Sequence, residues 1–99
     1  MKFTLVPGHS VRLFLQGFIQ AKMSQMTALF GEPVSSNGAA VCWCVHFEDG
    51  TLATIYIREH PGSGDGVTPL TFRIAGLDRH AVEMVHQEFR IYHKLMAIY

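Results

Sequence analysis

The stretch from Ala40 to Arg58, AVCWCVHFEDGTLATIYIR, constrains this chain more than any other. Two runs of alternating side chains flank Asp49-Gly50, a dipeptide whose backbone freedom suits a tight hairpin turn. Two registers compete. A two-residue turn sets Phe47 opposite Leu52, Trp43 opposite Tyr56 and Val41 opposite Arg58. A three-residue loop, Glu48-Asp49-Gly50 with Gly50 left-handed, pairs Phe47 with Thr51 instead. Only the second collects Val41, Trp43, Val45, Phe47, Ala53, Ile55 and Ile57 on one face. A one-residue slip moves every side chain to the opposite face, so the second register is the reading adopted.

Around the hairpin, other signals place further elements. Lys2 to Val6 reads as a short extended arm, a candidate extra strand before Pro7-Gly8. Ser10 is a plausible N-cap for a helix running towards Phe30. Val11, Leu15, Phe18, Ile19, Met23, Met26, Leu29 and Phe30 recur in it at three- and four-residue steps. Gly17 is its weak point, costing about 1 kcal/mol relative to alanine in a helix interior. A start at Gly17, with Val11 to Leu15 extended, is the alternative. Gly31 and Pro33 stop the helix, and Ser35 to Gly38 is a polar loop. Glu59 to Pro69, with three glycines and two prolines, is a long loop before a third strand, Leu70 to Ala75. In that strand Leu70, Phe72 and Ile74 point inward. Asp78 then caps a last helix whose stripe of Ala81, Val82, Val85, Phe89, Tyr92 and Met96 faces the sheet. The expected fold is α+β: a single domain over residues 1–99, ordered helix, three antiparallel strands, helix, with both helices on the apolar face.

The chain has 99 residues, room for one ordinary core, and 48% of them are hydrophobic. Eight basic and eight acidic side chains cancel, so no global pull on nucleic acid or an anionic membrane is implied. Nucleic acid is therefore not an expected general ligand. No secretory signal is visible at Met1 to Val6, and the apolar run from Val11 to Ile19 is too short and too interrupted to cross a bilayer. Cys42 and Cys44 read as free thiols suited to a reducing cytoplasm. No cofactor is implied.

The chosen register lines up Cys42, Cys44, His46, Leu52, Thr54, Tyr56 and Arg58 on the second sheet face, with Thr71 and Arg73 joining if the third strand lies beside the second. Antiparallel sheets often leave one face in water. Here, however, Leu52, Tyr56 and the thiols make that face less polar than a solvated one, while arginine and tyrosine suit a phosphate, a carboxylate or a partner's acidic edge. The candidate binding residues are Tyr56, Arg58, Arg73, His46 and Thr54. Cys42, Cys44 and His46 do not make a zinc site, because alternate strand positions are about 6.6–7 Å apart. Cys44 and His46 share a face, but no third member orients them for nucleophilic catalysis. His86 and His93 sit too far apart to chelate one ion. Gly62 to Gly66 lacks the lysine and the strand–loop–helix setting of a phosphate loop. It reads as a flexible connection that would close over a ligand if the face holds one. Met84, Ile91, Leu95, Ile98 and Tyr99 widen the last helix's apolar stripe beyond what one sheet face needs. They are the expected homodimer or partner surface.

Leu29-Phe30-Gly31-Glu32-Pro33, Trp43, Phe47, Asp49-Gly50-Thr51, Ala53-Thr54-Ile55-Tyr56 and Phe72-Arg73-Ile74-Ala75-Gly76, followed by Ala81-Val82, together resemble a pattern in small bacteriophage-encoded proteins. The resemblance covers Leu29 to Val85. It departs at Ile57, where the pattern has aspartate, and at Phe72-Arg73-Ile74-Ala75-Gly76, where the pattern reads W-H-I-G-G. The resemblance implies a phage protein acting in the host cytoplasm by stoichiometric binding, in the style of anti-CRISPR proteins or proteins that sequester immune signals. The leading expectation is thus a non-enzymatic inhibitor of a host protein or complex. A sponge for a small nucleotide or other anion is the second expectation, and a hydrolase using Cys44 or His46 the third.

Overall fold

The computed structural model describes residues 3–6, 12–36, 39–57 and 69–97. Their elements are strands β1 (Phe3–Leu5) and β2 (Phe14–Lys22), helix α1 (Met23–Phe30), strands β3 (Val34–Ser36), β4 (Ala39–Phe47), β5 (Leu52–Ile57) and β6 (Pro69–Gly76), and helix α2 (His80–Ala97). One antiparallel sheet runs in the order β1-β4-β5-β6-β2, and β3 pairs with β4 off this path.

The hairpin closes in the three-residue register. The Phe47 N–H donates to the Thr51 carbonyl at 2.9 Å, and the Phe47 carbonyl accepts from the Gly50 N–H at 3.0 Å. Gly50 has φ 93°, a region where a side chain would be strained. The Asp49 carboxylate accepts the Thr51 N–H at 2.9 Å and fixes the turn from inside. Trp43 then lies opposite Ile55, and Cys42 opposite Tyr56.

Two expectations are overturned. The sheet is not three-stranded but strand-rich, and the segment read as the first half of a long N-terminal helix is strand β2. Only Met23 to Phe30 is helical, so the alternative start at Gly17 fails as well. The apolar residues of 11–30 satisfy a helical step and a strand alternation at once, and a nonlocal contact decides between them. With three strands alone, β6 would leave its outer backbone groups unpaired beneath α2. Pairing with β2 satisfies them. The alternation that results is visible in burial: Ile19 and Ala21 are buried, whereas Phe18 and Gln20 are exposed. Gln16 is an extra residue between Leu15, opposite Ala75, and Gly17, opposite Ile74. Its side-chain amide donates to the Gly76 carbonyl at 3.2 Å, anchoring this β-bulge.

Both helices cover the same sheet face. Met26 and Phe30 of α1 and Ala81, Met84 and Val85 of α2 join Trp43, Val45, Phe47, Ala53, Ile55, Phe72, Ile74 and Ile19 in one core. Each large apolar side chain buried there contributes about 1.5–3 kcal/mol. Trp43 packs edge-on against Phe72, with ring centroids 5.7 Å apart. Its indole N–H donates to the Gly31 carbonyl at 2.8 Å, tying the end of α1 to the middle of the sheet. Gly31 itself, at φ 88°, ends α1 by donating its N–H to the Thr27 carbonyl. Asp78 opens α2, its carboxylate accepting the His80 N–H at 2.9 Å.

The turn also sets the hydrogen-bond phase of the whole sheet. Because Phe47 and Thr51 are a bonded pair, odd-numbered residues of β4 bond to β5 and even-numbered ones turn their backbone away. The Cys44 carbonyl accordingly accepts the Val6 N–H on the far side, at 2.9 Å. Carried across β5 and β6 through the observed registers, the same alternation makes Tyr56–Arg73 a bonded pair and Arg73–Phe18 a non-bonded one. The backbone groups of Phe18, Gln20 and Lys22 then face outward. Two contacts agree: the Phe18 carbonyl accepts from His86 at 2.8 Å, and the Lys22 N–H donates to the Gln25 side chain at 2.9 Å.

Helix α2 packs tightly over Gly76. A Cβ there would overlap that of Ala81 and sit 3.3 Å from the Leu52 carbonyl oxygen. Gly76→Ala should therefore lose about 1–3 kcal/mol in urea unfolding. An unchanged midpoint would contradict this packing of α2.

Candidate functional site

The face turned away from both helices carries the sequence-predicted binding residues, arranged in cross-strand rows. Arg73 is the register partner of Tyr56 on one side and of Phe18 on the other, and Cys42 lies opposite Tyr56. The row therefore reads Cys42–Tyr56–Arg73–Phe18. A second row holds Cys44, Thr54, Ala75 and Leu15. A third brings Thr4, His46 and Leu52 together. Directly opposed side chains in such rows have Cβ atoms about 4.5–5.5 Å apart, close enough to act as one surface.

Exposure grades across this face. Cys42 and Cys44 are buried, at 2% and 9%. Thr54 and Tyr56 are half-buried, and Arg73 is exposed. Phe18, a large apolar residue in register with Arg73, is 51% exposed. His46 stands at one end of the face, in a cleft of ≈ 190 Å³ shared with Phe3, Thr4, Phe47 and Glu48. Arg58 and the Gly62–Gly66 loop lie outside the described residues. The structure thus brings Tyr56, Arg73 and Thr54 together and sets His46 apart from them. Phe18 belongs to the same row but was read as part of a helix stripe, so sequence reasoning missed it.

Nucleophilic chemistry at Cys44 is disfavoured. Desolvation by burial pushes the Cys44 thiol above its ordinary range, with the Thr54 hydroxyl opposing and Cys42 adding to the rise. An activated nucleophile needs the reverse shift. Among the described residues no group of three histidine, cysteine, aspartate or glutamate side chains is placed to hold a metal ion. Among them, too, no helix is long and apolar enough to cross a membrane.

Of the residues expected at a homodimer or partner surface, Met84 is 2% exposed and belongs to the core under α2, which removes it from any such surface. Ile91 is exposed on the outer side of α2. Ile98, Tyr99 and the side chain of Leu95 lie outside the described residues.

Sequence reasoning also missed a polar clamp between the hairpin turn and α2. The His80 ring meets Asp49 through Nε2 at 3.1 Å and Glu83 through Nδ1 at 3.5 Å. Asp49 and His80 sit on a cleft of ≈ 230 Å³ with Thr51, Leu52, Leu77 and Asp78. Asp49 and His80 are 31 positions apart, so no local pattern announces the pair. Hydrogen bonds from the Thr51 hydroxyl and N–H, then from His80, hold the Asp49 carboxyl down at about 2. Asp49 first and Glu83 second raise the His80 pKa above the ordinary histidine value.

The signs fix a pH window. Asp49's contribution is present above the usual carboxylate range and is lost as pH falls through about 2. His80's contribution is complete below about pH 6.5 and is lost as pH rises through its raised folded value. The clamp is strongest between those limits. His80→Gln should lower the melting temperature most near about pH 5 and least near about pH 9. Parallel melting profiles for the two proteins would show that His80 carries no such linkage.

No protein-family model, curated protein or solved structure matches this chain, and function is argued from the arrangement of its side chains alone.

Proposed function

We propose that this chain acts without covalent chemistry, by binding a macromolecular partner on the sheet face turned away from both helices. The observation that carries this reading is the row Tyr56–Arg73–Phe18, an arginine between two aromatic residues on the face opposite the helices. Arginine and aromatic side chains dominate interface energetics because they bury much area while keeping a directional polar group. Tyr56 is the anchor in this reading, and Arg73 pairs with a carboxylate or phosphate of the partner. Arg58 belongs to the same reading as a second cation. The phage-like pattern makes a host macromolecule, and a host defence component in particular, the partner class to test first.

The anion-sponge reading is favoured less. Small-ligand sites usually enclose about 300–1,000 Å³. The two clefts found among the described residues are smaller, and neither is lined by Tyr56 or Arg73. The hydrolase reading is favoured least, because burial works against a reactive Cys44.

Immobilised wild-type protein and the Tyr56→Ala/Arg73→Ala double variant, exposed in parallel to bacterial lysate, test the proposal. The wild type should retain a partner in stoichiometric amount, and the variant should retain at least about tenfold less at a similar melting temperature. Equal retention would remove the sheet face as the site. A melting temperature raised by cyclic or linear nucleotides, and not by any protein, would move the function to the sponge reading.

A further inference from the structure

We infer that the outer edge of β2 is a docking site for an extended acidic segment of a partner protein, which adds to the sheet as a further strand. This goes beyond the face reading above and uses different groups. The opposite edge of the sheet is divided between the short strands β1 and β3, both paired with β4. The β2 edge is nine residues long. Proteins normally blunt such an edge with charges, proline or a covering element. Here the outward Phe18 carbonyl is held by His86 of α2, and the outward Lys22 N–H by Gln25. Among the described residues, the outward N–H of Phe18 and both outward backbone groups of Gln20 meet no partner. Phe14, Leu15 and Phe18, at 58%, 47% and 51% exposure, line the same strand. An incoming strand gains apolar contact there as well as backbone hydrogen bonds.

Charge selects the occupant. Strand β2 contains no carboxylate, and Lys22 closes it. Arg12 precedes it and sits 5.6 Å from the centroid of the Phe14 ring. On α2, the position one turn beyond His86 on the same helix face is Arg90, which is exposed. A second copy fits this edge poorly. Antiparallel overlap centred on Phe18, the middle of β2, would set Lys22 opposite Phe14 of the other copy, next to its Arg12. Like charges would then meet at both ends of the joint strand pair. An extended segment that alternates apolar and acidic residues meets no such repulsion. His86 gates the site, because the arriving strand's N–H must replace its ring at the Phe18 carbonyl.

The test is a titration of ¹⁵N-labelled protein with a synthetic peptide alternating valine and glutamate, and with a matched peptide carrying lysine for glutamate. Amide shifts should concentrate at Phe18, Gln20 and Lys22, with the acidic peptide alone. Gln20→Pro removes an outward N–H, a change that an edge strand tolerates, and should weaken binding by about tenfold or more. Arg12→Glu/Lys22→Glu should reverse the preference towards the lysine peptide, which keeps the test decisive if Gln20→Pro does not fold. His86→Ala should tighten binding. Tyr56→Ala/Arg73→Ala should leave the β2 amide shifts in place, so this site and the face stand or fall separately. Shifts elsewhere, equal response to both peptides, or unweakened binding by Gln20→Pro would overturn the proposal. So would a dimer in light scattering that Gln20→Pro dissolves, since that assigns the edge to a second copy.

Discussion

The rest of the structure depends on the bond from the Phe47 N–H to the Thr51 carbonyl. It closes a three-residue loop that left-handed Gly50 makes possible and the Asp49 side chain stiffens. Closing one residue earlier would send Trp43, Val45 and Phe47 to the face opposite Ala53 and Ile55 and divide the core. The bond also fixes which backbone groups point to which neighbour. That phase passes through β5 and β6 to β2, four strands from the other edge of the sheet. One turn therefore decides where both helices sit, which side chains lie on each face, and which backbone groups of the outermost strand point away from β6.

The hairpin was legible because its signals are local. Asp49-Gly50 names the turn, and the uniformity of one face selects the register. The stop at Leu29 to Pro33, the strand through Phe72 and Ile74 and the cap at Asp78 were legible for the same reason. Strand β2 was not. Phe14, Leu15, Phe18 and Ile19 fit a helical stripe as well as a sheet edge, and what decides between them is β6, more than forty residues away along the chain. Met84 was misread for a related reason. With only three strands beneath it, the apolar surface of α2 looks too wide, and β2 supplies the missing width. Of the candidate site, Tyr56, Thr54 and Arg73 could be aligned from the register alone. Phe18 could not, since it enters only with β2. The Asp49–His80 clamp likewise joins two elements that no sequence spacing connects.

The two sheet faces divide the work. One face and both helices supply the core, with Trp43 linking them by packing and by its bond to Gly31. Among the described residues the other face carries no helix, and there Arg73 is the register partner of both Tyr56 and Phe18. Its cysteines are buried, and that burial pushes Cys44 towards the inert thiol form. That combination is the ground on which recognition is proposed ahead of turnover. The electrically neutral composition fits the same view, because attraction to a partner then comes from local groups such as Arg73 rather than from the field of the whole molecule.

The most direct test of this account is NMR on the free protein, read at β2. In a non-bonded antiparallel pair the two Cα atoms are only about 4.5 Å apart, so their Hα protons give a strong cross-strand contact. The account predicts that contact between Phe18 and Arg73, slow amide exchange at Gly17, Ile19 and Ala21, and fast exchange at Gln20. Sequential helical contacts and uninterrupted protection from Gly17 to Lys22 would contradict it.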